Sequence, residues 1–307
     1  MSDTSITSTA PGHRAAVLAQ TGIDVEGCRH YVLDRQTPAG GFCFYRYGLW
    51  GVEEPNAVDT CAAIASLVLL ECAVPQLDDV VTWLHSLQDR SGGYASVVIA
   101  DAALGALHRL GLAPSRDPRG YLQGAAARIG LFDPCLFDPR VREWSGWLAD
   151  AHRCLRWWRA YGMPLDQPQS ALPAVLKSLE DPEGGFVSSR PSVIETWHAL
   201  RILTLLDQGL PAHGLLFLRR CEHPLFGMTL APGSTATSIE TLHDGGRALR
   251  LYGANPTHHE AILRFVANCQ ASTGGFGRTS GALPNLVDTF RALAVVSQDV
   301  DCVCHTV

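Results

Sequence analysis

Two acid–histidine pairs stand 45 residues apart in this chain: Glu195 with His198, and Glu240 with His243. Residues three apart share one face of a helix, so each carboxylate reaches its imidazole. Such a pair transfers protons as a general acid or base, although a satisfied core histidine is the everyday role of the same residue types. The two glutamates belong to a longer series: Asp59, Asp101, Asp150, Glu195, Glu240 and Asp288, at intervals of 42, 49, 45, 45 and 48 residues. A carboxyl group held in an apolar funnel has its pKa raised by desolvation and becomes a proton donor near neutral pH. In the first turn of a helix the same group instead opposes the dipole and caps free N–H groups.

Other side chains suit a ligand. Arg46, Arg190 and Arg278 fall in equivalent loops, and a guanidinium fork fits a diphosphate or a carboxylate. Tyr45, Tyr47 and Trp50 lie in the first of these loops, and Trp197 adjoins His198. Their rings can shield a cation, or simply cover the fold with apolar surface. Substrate-binding candidates are therefore Tyr45, Arg46, Tyr47, Trp50, Arg190, Trp197 and Arg278. The catalytic candidates are Asp59, Glu195, His198, Glu240, His243 and Asp288.

A period near 45 residues signals a repeat architecture, and each unit reads as an outer helix, a turn, a glycine-pair loop and an inner helix. In the second unit Leu77, Val80, Val81, Leu84 and Leu87 make one apolar stripe, broken by Ser91-Gly92-Gly93-Tyr94. From Asp101 a second helix is apolar on most sides, the pattern of a helix buried all round. The spacing predicts outer helices near 24–35, 74–89, 116–129, 170–180, 211–221 and 258–270. Inner helices are predicted near 58–73, 100–111, 147–160, 193–206, 238–252 and 286–298. The glycine pair recurs as Gly40-Gly41-Phe42, Gly92-Gly93-Tyr94, Gly184-Gly185-Phe186 and Gly274-Gly275-Phe276, and is degenerate in the third and fifth units.

The 307 residues suffice for a large core, and 47% hydrophobic with 18% charged residues describes a globular chain with many buried helices. A net charge of −6 and the lack of a Lys/Arg run argue against a nucleic-acid partner. No apolar run is long enough to span a bilayer. Residues 1–20 read as a flexible tail without signal-peptide features, and 300–307, with Cys302, Cys304 and His305, as a terminal strap. Ten cysteines in such a chain read as reduced thiols, which points to the cytoplasm.

The alternation of helices, the GGF loops and the acid-Thr openings Asp59-Thr60, Glu195-Thr196, Glu240-Thr241 and Asp288-Thr289 resemble the prenyltransferase/squalene-cyclase repeat family. That family holds protein prenyltransferase β subunits and class II terpene cyclases. The resemblance implies an all-α fold, a single (α/α)6 toroid over residues 21–299, whose inner-helix N-termini meet at one mouth. It also implies an enzyme acting on an apolar, isoprenoid or polyene-like small molecule by acid–base cyclisation or isomerisation, with no cofactor. Neither catalytic motif of the family is complete. Val58 and Val287 stand where class II cyclases carry the proton-donating Asp, and Phe290 stands where prenyltransferases carry a zinc thiolate. Asp59 and Cys61 have Asp-x-Cys spacing but only two ligands in register, whereas a catalytic zinc takes three. A metal-dependent prenyltransferase-like enzyme and a non-catalytic binding toroid are the alternatives.

Overall fold

The computed structural model describes Leu18 and residues 21–45, 53–132, 144–187 and 191–297. Among the described residues there are twelve α-helices. The outer set is α1 (Val25–Leu33), α3 (Leu77–Ser86), α5 (Arg119–Arg128), α7 (Asp166–Leu179), α9 (Ala212–Cys221) and α11 (His259–Asn268). The inner set is α2 (Ala57–Leu69), α4 (Val97–Arg109), α6 (Trp144–Ala160), α8 (Val193–Leu205), α10 (Ile239–Leu251) and α12 (Leu286–Val296). Each inner helix packs on the next, and α12 packs back on α2, so the inner ring is closed. All twelve fall where the periodicity predicts them. Among the described residues the strands are one short antiparallel pair, β1 (Glu222–His223) with β2 (Gly227–Met228), beside isolated bridges such as Gln36 with Phe42 and Gln270 with Phe276. The strand pair occupies the fifth unit, where the glycine motif is degenerate. No helix among the described residues is long and apolar enough to cross a membrane.

Two recurring contacts explain why the GGF loop and the acid-Thr motif occur together. The Phe42 amide donates to Thr60 Oγ1 at 2.9 Å, Phe186 to Thr196 Oγ1 at 3.2 Å, and Phe276 to Thr289 Oγ1 at 3.0 Å. All three phenylalanines are fully buried, each contributing roughly 1.5–3 kcal/mol of apolar burial. Their buried amides would otherwise lack partners, and the threonine at the start of the inner helix satisfies them.

The second contact joins successive units. Gln36 Nε2 donates to Pro75 O at 2.8 Å, Gln88 Nε2 to Arg116 O at 2.9 Å, and Gln270 Nε2 to Asp24 O at 2.9 Å. The first two reach the chain just before the following outer helix, and the last reaches back to the first unit. Gly40 and Gly274 make that approach possible: both have positive φ, and a Cβ at either would lie within 2.5 Å of the next outer helix's backbone.

The acids do not all occupy one position. N-caps of the inner helices are Asn56, Ser96, Ser192, Ser238 and Asn285, each accepting from a backbone N–H in the first turn. Asp59, Glu195 and Asp288 are third residues of their helices and Glu240 is a second residue. Asp101 and Asp150 lie beyond the first turn. The common period of the six acids therefore does not give them one helix position: Asn and Ser do the capping, and two acids sit deeper.

Candidate functional site

A cavity of about 250 Å³ lies inside the ring. Its mouth is marked by Val58, Val98, Glu240 and Val287, from the first turns of four inner helices. Those helix ends bring partial positive charge to the opening. Apolar wall comes from Ala62, Ala65, Ala102, Trp197 and Phe290, and the rest is polar and charged. Five arginines line it (Arg109, Arg153, Arg156, Arg247 and Arg291), against three carboxylates (Asp101, Glu240 and Asp244).

Each carboxylate is already engaged. Asp101 Oδ1 accepts from Arg156 Nη2 at 2.6 Å and from Trp157 Nε1 at 2.8 Å. Glu240 Oε1 accepts from Arg291 Nη2 at 2.6 Å, and its other oxygen pairs with Arg278. Asp244 Oδ1 accepts from His243 Nδ1 at 2.8 Å. Burial pushes Asp244 upward, yet the His243 hydrogen bond, with Arg291 and His198 nearby, holds it below the usual carboxylate range. A carboxylate stabilised this way stays ionised and makes a poor proton donor.

Burial holds the three histidines of the cavity in their neutral form. His152 and His198 face each other Nδ1 to Nδ1 at 2.9 Å, which requires one protonated and one bare nitrogen. Burial drives His152 well below its ordinary pKa, with His198 and three arginines adding to the effect. It brings His198 down to about 4, against the opposing charge of Asp244. His243 is lowered too, chiefly by burial, with Asp244 opposing. All three are neutral at pH 7. Because His243 gives its Nδ1 proton to Asp244, its Nε2 carries the lone pair, the form that accepts a proton.

Arg247 stacks over the Trp197 ring at 4.2 Å, and its Nη2 is buried without a hydrogen-bond partner among the described residues. Arg109 Nη1 donates to Gly105 O at 2.9 Å and to Cys61 Sγ at 3.2 Å. No carboxylate pairs with either guanidinium among the described residues, so both leave positive charge for an anionic ligand.

The pairs read from sequence are rearranged. Glu195 does not hold His198: its Oε1 accepts from Ser145 Oγ at 2.8 Å, while His198 turns to His152. Glu240 does not hold His243, because arginines take the acid and Asp244 takes the histidine. Trp197, His198, Glu240 and His243 line the cavity, whereas Asp59, Glu195 and Asp288 are absent from its wall. Asp59 and Asp288 instead take hydrogen bonds from their N-caps, Asn56 Nδ2 at 2.5 Å and Asn285 Nδ2 at 2.6 Å. Tyr45 is half exposed, stacked edge-on with Phe44, and Arg278 is exposed with its pair to Glu240. Arg46, Tyr47, Trp50 and Arg190 lie outside the described residues.

The metal pair is corrected as well. Cys61 lines the cavity, while Asp59, two residues away, is buried on another face near Arg35. The two side chains diverge, and no group of three His, Cys, Asp or Glu among the described residues is placed to hold a metal ion. The family's zinc chemistry does not fit these residues.

Sequence reasoning missed Arg109, His152, Arg156, Asp244, Arg247 and Arg291. The signal was present: arginine inside a helix buried all round is rare unless it has a partner or a ligand.

Fold and cavity together define an α/α toroid with a charged interior. The model of the prenyltransferase alpha-alpha toroid domain matches residues 6–103 and 235–301, and the chain belongs to that family. No curated protein matches its sequence. Among solved structures, a protein from Actinoplanes has a TM-score of 0.51 at 14% identity, covering 93% of this chain and 99% of that one. Candida albicans protein geranylgeranyltransferase-I complexed with GGPP gives 0.41 at 13% identity, covering 93% and 82%. The Actinoplanes match shows the shared fold alone. The stretch between the two matched segments contains Arg109, His152, Arg156, Trp197 and His198, so much of the cavity's chemistry lies outside the family pattern.

Proposed function

We propose that this toroid is an enzyme acting on a small isoprenoid- or polyene-like molecule with an anionic head, transferring a proton to isomerise or cyclise it. The observation that carries this reading is the cavity lining: unneutralised arginines beside the His243–Asp244 pair, among apolar walls. Arg109 and Arg247 receive a diphosphate or carboxylate, and the alanines, Trp197 and Phe290 receive the hydrocarbon. The volume, about 250 Å³, falls below the roughly 300–1,000 Å³ of drug-sized sites and favours a short chain.

The chemistry suited to these groups begins with a base. His243 Nε2 takes a proton from an allylic carbon, Asp244 balances the imidazolium, and the imidazolium, once exchanged with solvent, delivers a proton two carbons along. In a cyclisation the carbon–oxygen bond to the diphosphate breaks, and the diphosphate keeps the electron pair and rests on Arg109 and Arg247. The cation closes on a double bond under the Trp197 and Phe290 rings, and the same nitrogen removes the last proton.

The test is incubation with C5–C15 allylic diphosphates, polyene carboxylates and the matching alcohols in deuterium oxide, read by mass spectrometry and by binding calorimetry. Anions are expected to bind more tightly than alcohols and to gain deuterium at carbon, and His243→Gln is expected to bind without exchange. Binding without deuterium gain and without any cyclised product in the wild type would make the toroid a binding protein. Equal affinity for anions and alcohols would overturn the anionic substrate class.

A further inference from the structure

We propose that Cys61 is a reactive thiolate that captures small anionic carbon electrophiles in the toroid cavity. The thiol projects from the fifth residue of α2 into the cavity and is only partly buried. Arg109 Nη1 donates to its sulfur at 3.2 Å and is fixed there by a second bond to Gly105 O at 2.9 Å. A guanidinium hydrogen bond favours the thiolate over the thiol.

The cavity wall itself brings Cys61, Arg109 and Arg156 together, and Gly105 behind them shows how closely they meet. A Cβ at this position would stand 3.1 Å from Arg109 Nη1, 3.3 Å from Cys61 Sγ and 3.4 Å from Arg156 Nη2. A thiol and two guanidiniums thus converge, closer than a side chain at this position would comfortably allow, and glycine permits that approach. Asp101 balances Arg156 at 2.6 Å, whereas no carboxylate pairs with Arg109 among the described residues. An independent observation also points to a ligand. His152, 7% exposed, lines the same cavity, and its Nε2 has no hydrogen-bond partner among the described residues. A buried polar atom facing a cavity is satisfied when something binds there.

The other cysteines set the contrast. Burial pushes the thiols of Cys28, Cys154, Cys221 and Cys269 up to about 12, and these behave as small apolar residues. Cys72 is half-buried, donates to Leu70 O at 3.3 Å and lies beside Arg29, but it is absent from the cavity wall. Only the Cys61 sulfur, among the described residues, combines cavity access with a guanidinium donor.

In the reaction the thiolate attacks the electrophilic carbon and a sulfur–carbon bond forms. The bond from carbon to its leaving group breaks, and that group departs with the electron pair. The reactant's anionic end rests on Arg109 and Arg156. This capture is independent of proton transfer at His243: its readout is a covalent adduct, whereas failure of the proposed isomerisation appears as absent deuterium gain.

Iodoacetate and iodoacetamide make the test, since they alkylate thiols alike and differ in charge. With the full chain at pH 7, peptide mass spectrometry should show iodoacetate modifying Cys61 at least about tenfold faster than Cys72. It should also modify Cys61 faster than iodoacetamide does, the reverse of the order for a free thiol such as glutathione. Arg109→Gln should cut the iodoacetate rate about tenfold, and Arg109→Lys, which keeps the charge, should retain most of it. The proposal is overturned if wild-type Cys61 reacts no faster than Cys72, or prefers iodoacetamide. A folded Arg109→Gln chain, checked by circular dichroism, that reacts at the wild-type rate would overturn it too.

Discussion

His243 and Asp244 are sequence neighbours on α10, and the histidine Nδ1 hydrogen-bonds the aspartate Oδ1 at 2.8 Å inside the cavity wall. Adjacent residues on a helix diverge by roughly 100°, so the pair closes only because both side chains fold towards each other. The bond fixes the tautomer: the proton sits on Nδ1 and the lone pair on Nε2. Asp244→Asn places an amide where the carboxylate was. An amide hydrogen then donates to Nδ1, and the proton moves to Nε2. Turnover of a converted substrate should fall by about 10²-fold or more in kcat with little change in KM. A loss confined to KM would mean that Asp244 only shapes the pocket.

The buried histidines also make stability depend on pH. His198 is held at about 4 and His152 well below its ordinary value, both chiefly by burial, while an unfolded histidine titrates near 6.5. Between these values the unfolded chain binds protons that the folded chain refuses. Stability from these groups is therefore present above pH 6.5 and lost as the pH falls towards 4, at up to about 1.4 kcal/mol per pH unit for each group. Urea melts between pH 4 and 8 should show this decline, and His198→Gln should flatten it. A wild-type midpoint constant across that range would refute the assignment.

Asp59 titrates in the opposite sense. Burial raises its pKa, with the Asn56 hydrogen bond and Arg35 opposing. A raised carboxyl favours the fold at low pH, below its unfolded value near 3.9, and the advantage is lost as the pH rises through the folded value. Asp59→Asn keeps an acceptor for Asn56 and removes the buried charge. Its thermal midpoint should match or exceed that of the wild type at pH 7, whereas Asp59→Ala should cost about 1 kcal/mol by weakening the cap. Because Asp59 is absent from the cavity wall, ligand affinity in both variants should match the wild type. A large loss of affinity in Asp59→Asn would return it to the list of functional acids.

The fold was legible in sequence because its signals are local. The GGF loops, the threonines that satisfy them and the helical periodicity each lie within one unit, and the unit recurs. The site was less legible because its decisive pairs cross between helices. His198 stands three residues from Glu195 but meets His152, 46 residues away, since helix packing and not spacing chose its partner. The same is true of Glu240 and Arg291. Asp101 looked equivalent to Asp59 by period, yet Ser96 starts its helix two residues earlier in register, which turns the acid into the cavity. In the fifth unit Gly227, with φ of 77°, takes the close approach to α11 that the first glycine makes elsewhere. A single glycine after Phe226 carried too weak a signal to be read as that motif.

Closure of the ring rests on a contact across almost the entire chain. Gln270 Nε2 donates to Asp24 O at 2.9 Å, Asp24 N donates to Gln270 Oε1 at 2.8 Å, and Gly274 packs against the backbone of Gly27. The same side chain joins neighbouring units at Gln36 and Gln88, where the chain itself already holds the two units near each other. At the seam no such connection exists, so the side chain and the apolar packing act alone. Gln270→Ala leaves the Asp24 amide without its acceptor at that position, and should cost more stability than Gln36→Ala, by about 1 kcal/mol. Gly274→Ala should cost still more, because its Cβ would lie 2.1 Å from the Gly27 backbone and its positive φ is strained for alanine. Hydrogen exchange should locate the effect: amides of α1 and α11 should lose protection before those of α4 and α8. Uniform loss around the ring would mean that the toroid opens as one cooperative unit, with no weak point at its seam.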